Sequence, residues 1–140
     1  MVKLTRLIAV LVGLLLAGCE TAVDEPVSKF DIEALRAMRS EAKFHEYPPA
    51  FYPGAPTEEV RARCEARLNE FLDELVATSP EALSKSLVLA RMKVLLESFT
   101  LEDSEEQDRI LIYLEGVLDT MAIQSSDGLF NTWRYGFDPT

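Results

Sequence analysis

The sequence predicts an all-α fold, a small helical bundle of about four helices with an aromatic-rich C-terminal tail packed on it. Four segments place apolar residues at the three- and four-residue spacing of an amphipathic helix. Capping residues and prolines stand at the boundaries of these segments. No segment alternates apolar and polar residues over the length that a half-buried strand needs.

The first predicted helix covers about residues 31–44 and begins after the capping residue Asp31. Its apolar positions recur at helical spacing on the face that we expect to be buried: Ile32, Leu35, Met38 and Ala42. Three basic residues share another face, which we expect to be solvated: Arg36, Arg39 and Lys43. Residues 45–56 contain four prolines and one glycine, which exclude a helix there. The aromatic residues of this loop are expected to pack it onto the helices: Tyr47, Phe51 and Tyr52.

Three further helices are predicted. The second begins after Thr57, where two acids favour the positive end of the helix dipole, and it ends near Thr78. Ser79 is expected to cap a third helix with a proline in its first position, and apolar residues cover much of the circumference of that helix, which predicts a central position. Ser104 begins the fourth, with Gln107 completing a capping box. The apolar stripes expected in the core run from Val60 to Val76, from Leu83 to Phe99 and from Ile110 to Met121.

The N-terminal residues have the three parts of a secretory signal. Lys3 and Arg6 precede an apolar run, residues 7–16, which is shorter than the ~20 residues of a permanent membrane-spanning helix. Residues 16–19, Leu-Ala-Gly-Cys, resemble the lipobox of bacterial lipoproteins. The resemblance implies a diacylglyceryl group on the thiol of Cys19 and cleavage just before that residue. An ordinary cleaved signal peptide and an uncut hydrophobic helix are the alternatives.

This interpretation divides the chain into a lipoprotein signal peptide (1–18), a lipidated tether (19–29) and a helical domain (30–140). Glu20 follows the cysteine. In enterobacterial lipoproteins an aspartate at that place tends to retain the protein in the inner membrane, so its absence favours the outer membrane. We therefore expect a protein of the cell envelope, anchored to the outer membrane through lipid on Cys19 and facing the periplasm.

The mature chain would be strongly acidic. Lys3 and Arg6 leave with the signal, so twelve of the 14 basic residues remain against 24 acidic ones, a net charge of −12. Nucleic acid is therefore excluded as a partner, because binding to phosphates needs a basic surface. A basic protein partner would fit this charge.

The sequence contains no recognisable catalytic or metal site. His45 is the one histidine, and neither a zinc site nor a Ser-His-Asp arrangement can be assembled around it. Phosphate-binding glycine loops are absent as well. We expect no enzyme, no metal and no cofactor. Cys64 lies on an apolar stripe and is predicted to be a buried, inert thiol, with an intermolecular disulfide as the alternative.

Residues 125–137, SSDGLFNTWRYGF, form the most specific motif after the lipobox. They resemble the closing motif of an uncharacterised family of small, mostly helical bacterial proteins, described as a domain of unknown function. The resemblance covers about the last 45 residues and implies a helical fold, while the biochemical role stays unassigned. Within the motif, Gly128 and Gly136 are expected to form turns and Trp133 to plug the core. A ligand site is the alternative.

These observations favour a non-catalytic, protein-binding lipoprotein. One specific version is an immunity protein against a periplasmic toxin, since small exported helical proteins that guard against type VI secretion amidases are similar in size and class. The alternative is a small cell-wall-acting or ligand-binding domain that uses the Tyr47–Tyr52 loop and the tail, with Glu46 or Asp127 as an acid. A structural envelope component is a third possibility. The candidate interaction surface comprises Tyr47, Tyr52, Asp127, Asn131, Trp133 and Tyr135.

Overall fold

Apolar stripes of the predicted helices meet in one core. A computed structural model describes residues 24–139. The helices in this part of the chain are α1 (Ile32–Ser40), α2 (Glu58–Ala77), α3 (Lys85–Ser98), α4 (Ser104–Thr120) and α5 (Leu129–Tyr135). Short 3₁₀ turns lie at Pro48–Ala50 and Pro80–Ala82, and residues 24–139 contain no β-sheet. The all-α fold class is therefore confirmed.

Helix α2 packs against α1 and α3, α1 also packs against α4, and α3 also packs against α5. The predicted stripes of α2 and α4 supply about half of the fully buried apolar side chains. Their fully buried members are Cys64, Leu68, Leu72, Leu75, Ile110, Leu114 and Val117. Because α3 turns one side to solvent, Val94 is 68% exposed although the sequence placed it in the core.

Local capping fixes the starts of three helices. At the start of α1, the side chain of Asp31 accepts a hydrogen bond from the backbone N–H of Ala34. At the start of α2, the side chain of Thr57 accepts one from the backbone N–H of Val60. The prediction of a capping box at the start of α4 is wrong. The hydroxyl of Ser104 donates to Glu105, its neighbour, and the side-chain amide of Gln107 points back to carbonyl groups of the preceding turn instead of to the N-cap.

Helix α1 ends at Ser40, earlier than the predicted end near residue 44. The expectation of a solvated Lys43 is wrong, since this side chain is only 1% exposed. Its Nζ donates to the carbonyl oxygens of Arg39 (3.1 Å) and Glu41 (2.7 Å), which the end of α1 leaves without helical partners. Burial lowers the pKa of Lys43, and the nearby carboxylate of Glu65 opposes that shift.

Helix α3 begins at Lys85, later than predicted, and Ser84 is its N-cap in place of Ser79. Ser79 opens a 3₁₀ turn instead. Leu83 follows this turn in an extended conformation, is buried, and accepts a hydrogen bond from the backbone N–H of Val27 (3.3 Å). The buried, extended Leu83 therefore lies between the proline turn and α3, so the two do not form one continuous helix.

The aromatic tail folds back on the helices, as predicted. Most of the segment is helical and forms α5. Phe130 is its buried anchor, and Trp133 is half-buried against the edge of the core. The contact with α3 leaves a groove beside Trp133.

Candidate functional site

The groove beside Trp133 lies between α3 and α5 and has a volume of about 460 Å³. Leu89 and Ala90 of α3 and Leu129 and Trp133 of α5 supply its apolar surface. Charged side chains of Lys93, Glu97 and Asp127 also line it. Two of the predicted site residues, Asp127 and Trp133, are therefore brought together here.

A tight turn before α5 shapes one end of this groove. Asp127 and Gly128 both adopt left-handed backbone conformations, with φ of 51° and 75°. The carboxylate of Asp127 is held by Lys85 of α3, with 2.7 Å between Nζ and Oδ1. A Cβ atom on Gly128 would collide with the carboxylate of Asp138. The positive φ angle favours glycine at position 128, and a Cβ atom there would have to displace the side chain of Asp138.

The remaining tail residues of the predicted surface point elsewhere. Asn131 donates through Nδ2 to Oδ1 of Asp138 (3.2 Å) and so stabilises the end of the chain against α5. Tyr135 is 62% exposed, and its ring lies beside the guanidinium group of Arg134, which forms an ion pair with Asp108 of α4. Asn131 and Tyr135 are not among the side chains that line the groove.

Tyr47 and Tyr52 belong to a second cluster, on α4. The guanidinium carbon of Arg109 lies 4.5 Å from the ring centre of Tyr47, 4.6 Å from that of Tyr113 and 5.5 Å from that of Tyr52. Each ring offers the electron-rich face that attracts a cation. Backbone hydrogen bonds between Tyr47 and Tyr52 close the loop into a small hairpin. The proline-rich loop is therefore held on α4 by Arg109.

A buried carboxyl group completes this cluster. Glu106 is 1% exposed and accepts a hydrogen bond of 2.9 Å from the hydroxyl of Tyr52. Burial raises the pKa of Glu106, and the hydrogen bond from Tyr52 partly offsets that shift. Burial also raises the pKa of Tyr52. Nε and Nη1 of Arg109 have no hydrogen-bond partner among residues 24–139. Their main contacts in this part of the chain are therefore the faces of the aromatic rings.

Sequence reasoning missed Glu106 and Arg109. Together with Tyr113 they occupy positions i, i+3 and i+7 of α4, which share one face of a helix. The signal in the sequence that could have revealed them is that Glu106 and Arg109 are charged residues on an otherwise apolar stripe of the helix. Their burial explains why the Tyr47–Tyr52 loop and the tail do not form one cleft: the loop contacts α4 through these residues, while Asp127 and Trp133 lie against α3.

The family model of a domain of unknown function, DUF4844, matches residues 25–138. The chain belongs to the DUF4844 family. Searches of the curated proteins and of the solved structures return no match. The interpretation of the tail as part of an uncharacterised family is thus supported at the level of the family, and the match extends over all five helices.

Two further chemically distinctive residues of the DUF4844 domain are Cys64 and His45. Cys64 is a free, fully buried thiol, and burial raises its pKa to about 11, so the predicted buried position is confirmed. His45 is exposed at the start of the proline-rich loop. Within residues 24–139, no group of three or more His, Cys, Asp or Glu side chains is placed to hold a metal ion.

The predicted signal peptide and the predicted lipidation site, Cys19, lie outside the described residues. Among residues 24–139, none of the helices has both the length and the apolar character required to span a bilayer.

Proposed function

We propose that this protein is a lipid-anchored envelope lipoprotein, facing the periplasm from the outer membrane, whose DUF4844 domain binds another protein without catalysis. The observation that carries the binding role is the α3–α5 groove. It combines an apolar surface, supplied by Leu89, Leu129 and Trp133, with charged side chains at its margin. Such a mixture is typical of interfaces, where an apolar centre supplies affinity and a polar rim supplies orientation.

The charged groups of the groove favour binding over catalysis. Asp127 is held by Lys85, and the other charged side chains are Lys93 and Glu97, which are exposed on α3. The groove is lined by neither histidine nor cysteine.

A matched pair of substitutions tests the binding role. Ala90→Glu introduces a charged side chain into the groove, whereas Ala62→Glu places the same side chain on the exposed face of α2. Both proteins and the parent are used as quantitative baits in envelope extract, with increasing amounts of extract added. We expect one saturable partner that Ala90→Glu loses and Ala62→Glu retains. Absence of a saturable partner, or equal capture by both variants, refutes the proposal.

The immunity role is a specific form of this proposal. It requires that the captured partner be a toxin that acts in the periplasm. Cells that export this toxin should survive only when the parent protein or Ala62→Glu is co-expressed, and not with Ala90→Glu. A partner that is harmless when exported excludes immunity and leaves protein binding intact.

The anchor has its own test. The resemblance of residues 16–19 to a lipobox places the lipid on Cys19, and two or more acyl chains give stable membrane attachment where one does not. Cys19→Ala should therefore remove incorporation of labelled palmitate and release the protein from the membrane fraction. Palmitate incorporation at the parental level in this variant would contradict the assignment.

A small ligand is the second candidate occupant. The groove volume of about 460 Å³ is within the range of small-molecule sites, roughly 300–1,000 Å³. Trp133 is the only tryptophan of the chain, so its fluorescence reports on the groove directly. A saturable change of this fluorescence on addition of soluble cell-wall fragments would favour a small ligand as the occupant of this groove.

A further inference from the structure

The first described residues are attached to the start of α3. The carboxylate of Asp24 accepts hydrogen bonds from the hydroxyl (2.5 Å) and the backbone N–H (3.3 Å) of Ser86. The carbonyl of Glu25 accepts from the backbone N–H of Lys85 (2.9 Å), and Val27 donates to Leu83. The chain therefore enters the domain at one defined place.

The path from this place to the proposed lipid is short. Five residue steps separate Cys19 from Asp24, and even a fully extended chain covers only about 18 Å in that number of steps. Whatever conformation these residues adopt, the lipid attachment point stays within this distance of Asp24, which is hydrogen-bonded to the start of α3.

The surface around the attachment forms one end of the domain, which we call the anchor pole. It comprises residues 24–28, the start of α3 and residues 121–124, and all three parts contribute to the lining of a small cleft. A hydrogen bond from the N–H of Asp31 to the carbonyl of Thr120 (3.2 Å) joins the segment that follows residues 24–28 to the end of α4. Helix α3 leads away from this pole for 14 residues, or about 21 Å. Beyond its end lies Leu101, which is 98% exposed.

We propose that the lipid anchor orients the domain, with the anchor pole against the headgroup layer of the bilayer and the α3–α4 corner at Leu101 facing the periplasm. This inference rests on the proposed lipidation of Cys19.

The orientation also sets where the groove lies. Its first α3 residue, Leu89, comes three residues after Ser86, which is less than one helical turn. The ion pair between Lys85 and Asp127 joins the anchor pole to the turn that shapes one end of the groove. That end of the groove therefore opens on the bilayer side of the domain.

Energy transfer from the protein to the membrane tests the orientation. Full-length lipidated protein in phosphatidylethanolamine–phosphatidylglycerol vesicles carries a donor dye at Gln124→Cys or Leu101→Cys, and the acceptor is attached to lipid headgroups. Gln124 is an exposed residue of the anchor pole, and buried Cys64 does not compete for the dye. Because α3 separates the two positions by about 20 Å, we expect severalfold larger transfer from position 124.

Two controls separate orientation from anchoring. Insertion of about ten glycine and serine residues before Asp24 should abolish the difference between the two dye positions, since a flexible linker removes the constraint on reach. Equal transfer from both positions without the insertion, or larger transfer from position 101, overturns the orientation while the protein still floats with the vesicles. A protein that fails to float overturns the lipid anchor and the orientation together.

Discussion

Glu102 joins the α3–α4 corner to α2, and its neutralisation offers a direct test of how the bundle is held together. One carboxylate oxygen accepts from Nε of Arg63 (3.0 Å) and Nη1 of Arg67 (2.8 Å), while the other accepts from Nη2 of Arg63 (2.8 Å). The side chain of Glu102 is only 8% exposed. Glu102→Gln keeps the shape of this side chain and removes its charge.

The expected loss of unfolding free energy is about 2 kcal/mol. A hydrogen bond to a charged group contributes about 1.5–3 kcal/mol when buried. The arginine side chains are 40% and 31% exposed, so solvent screens them and they regain hydration when the carboxylate is lost. For a domain of this size, the loss corresponds to about 8 °C in the melting temperature.

The same pair of arginines sets a pH dependence. Their hydrogen bonds hold the pKa of Glu102 below its usual value of 4.5. A carboxyl group with a lowered pKa in the folded state stabilises the protein above the unfolded pKa, and this contribution is lost as the pH falls through the folded pKa. The stability difference between the parent and Glu102→Gln should therefore be constant at neutral pH and shrink as the pH falls below about 4.5.

Urea unfolding of the lipid-free domain, followed by circular dichroism from neutral pH to pH 3, measures both effects. Glu115→Gln is the matched control, because Glu115 is exposed on α4 and makes no ion pair among residues 24–139. Equal stability of the two variants at neutral pH would refute the proposed role of Glu102. A difference that persists undiminished at pH 3 would contradict the electrostatic explanation.

Two further pairs of variants compare a specific contact with its closest control in urea unfolding. Tyr52→Phe removes the hydroxyl that donates to buried Glu106 and should cost about 1–3 kcal/mol, whereas Tyr47→Phe should cost about 0.5 kcal/mol or less; equal losses would show that the Glu106 hydrogen bond contributes nothing. Gly128→Ala should destabilise more than Gly136→Ala, because both positions have positive φ but only a Cβ at position 128 meets another side chain. Indistinguishable losses would mean that the chain end moves aside freely.

The accuracy with which the fold could be predicted depended on how far apart along the chain the interacting residues lie. Helix α2 was predicted to within a residue at each end because its N-cap, Thr57, and its apolar stripe are local features of the chain. The end of α1 was not predicted correctly, because it depends on a hydrogen bond from the backbone N–H of Lys43 to the carboxylate of Glu65 in α2 (2.8 Å). A partner 22 residues away leaves no periodic signal in the segment itself.

The candidate site likewise has one part that the sequence predicted and one part that it did not. The motif around Asp127 and Trp133 was found from composition and turn residues, and the structure places both side chains in one groove. The partners of Tyr47 and Tyr52 were missed, because a charged residue on the apolar stripe of α4 does not show which aromatic rings Arg109 meets once the proline-rich loop covers it. Burial of a charge depends on packing between elements, which single-helix patterns do not describe.

The sequence by itself determined the helical class and most of the core positions, and it predicts the anchor, because spacing along one segment and short signals encode them. Tertiary structure alone decided which aromatic residues meet. It placed Trp133 against α3, separated it from the Tyr47–Tyr52 loop, and attached residues 24–27 to the start of α3. The physical reason is that these contacts join segments distant along the chain, where the hydrophobic effect is non-directional and only the combined shape of the packed helices selects the neighbour.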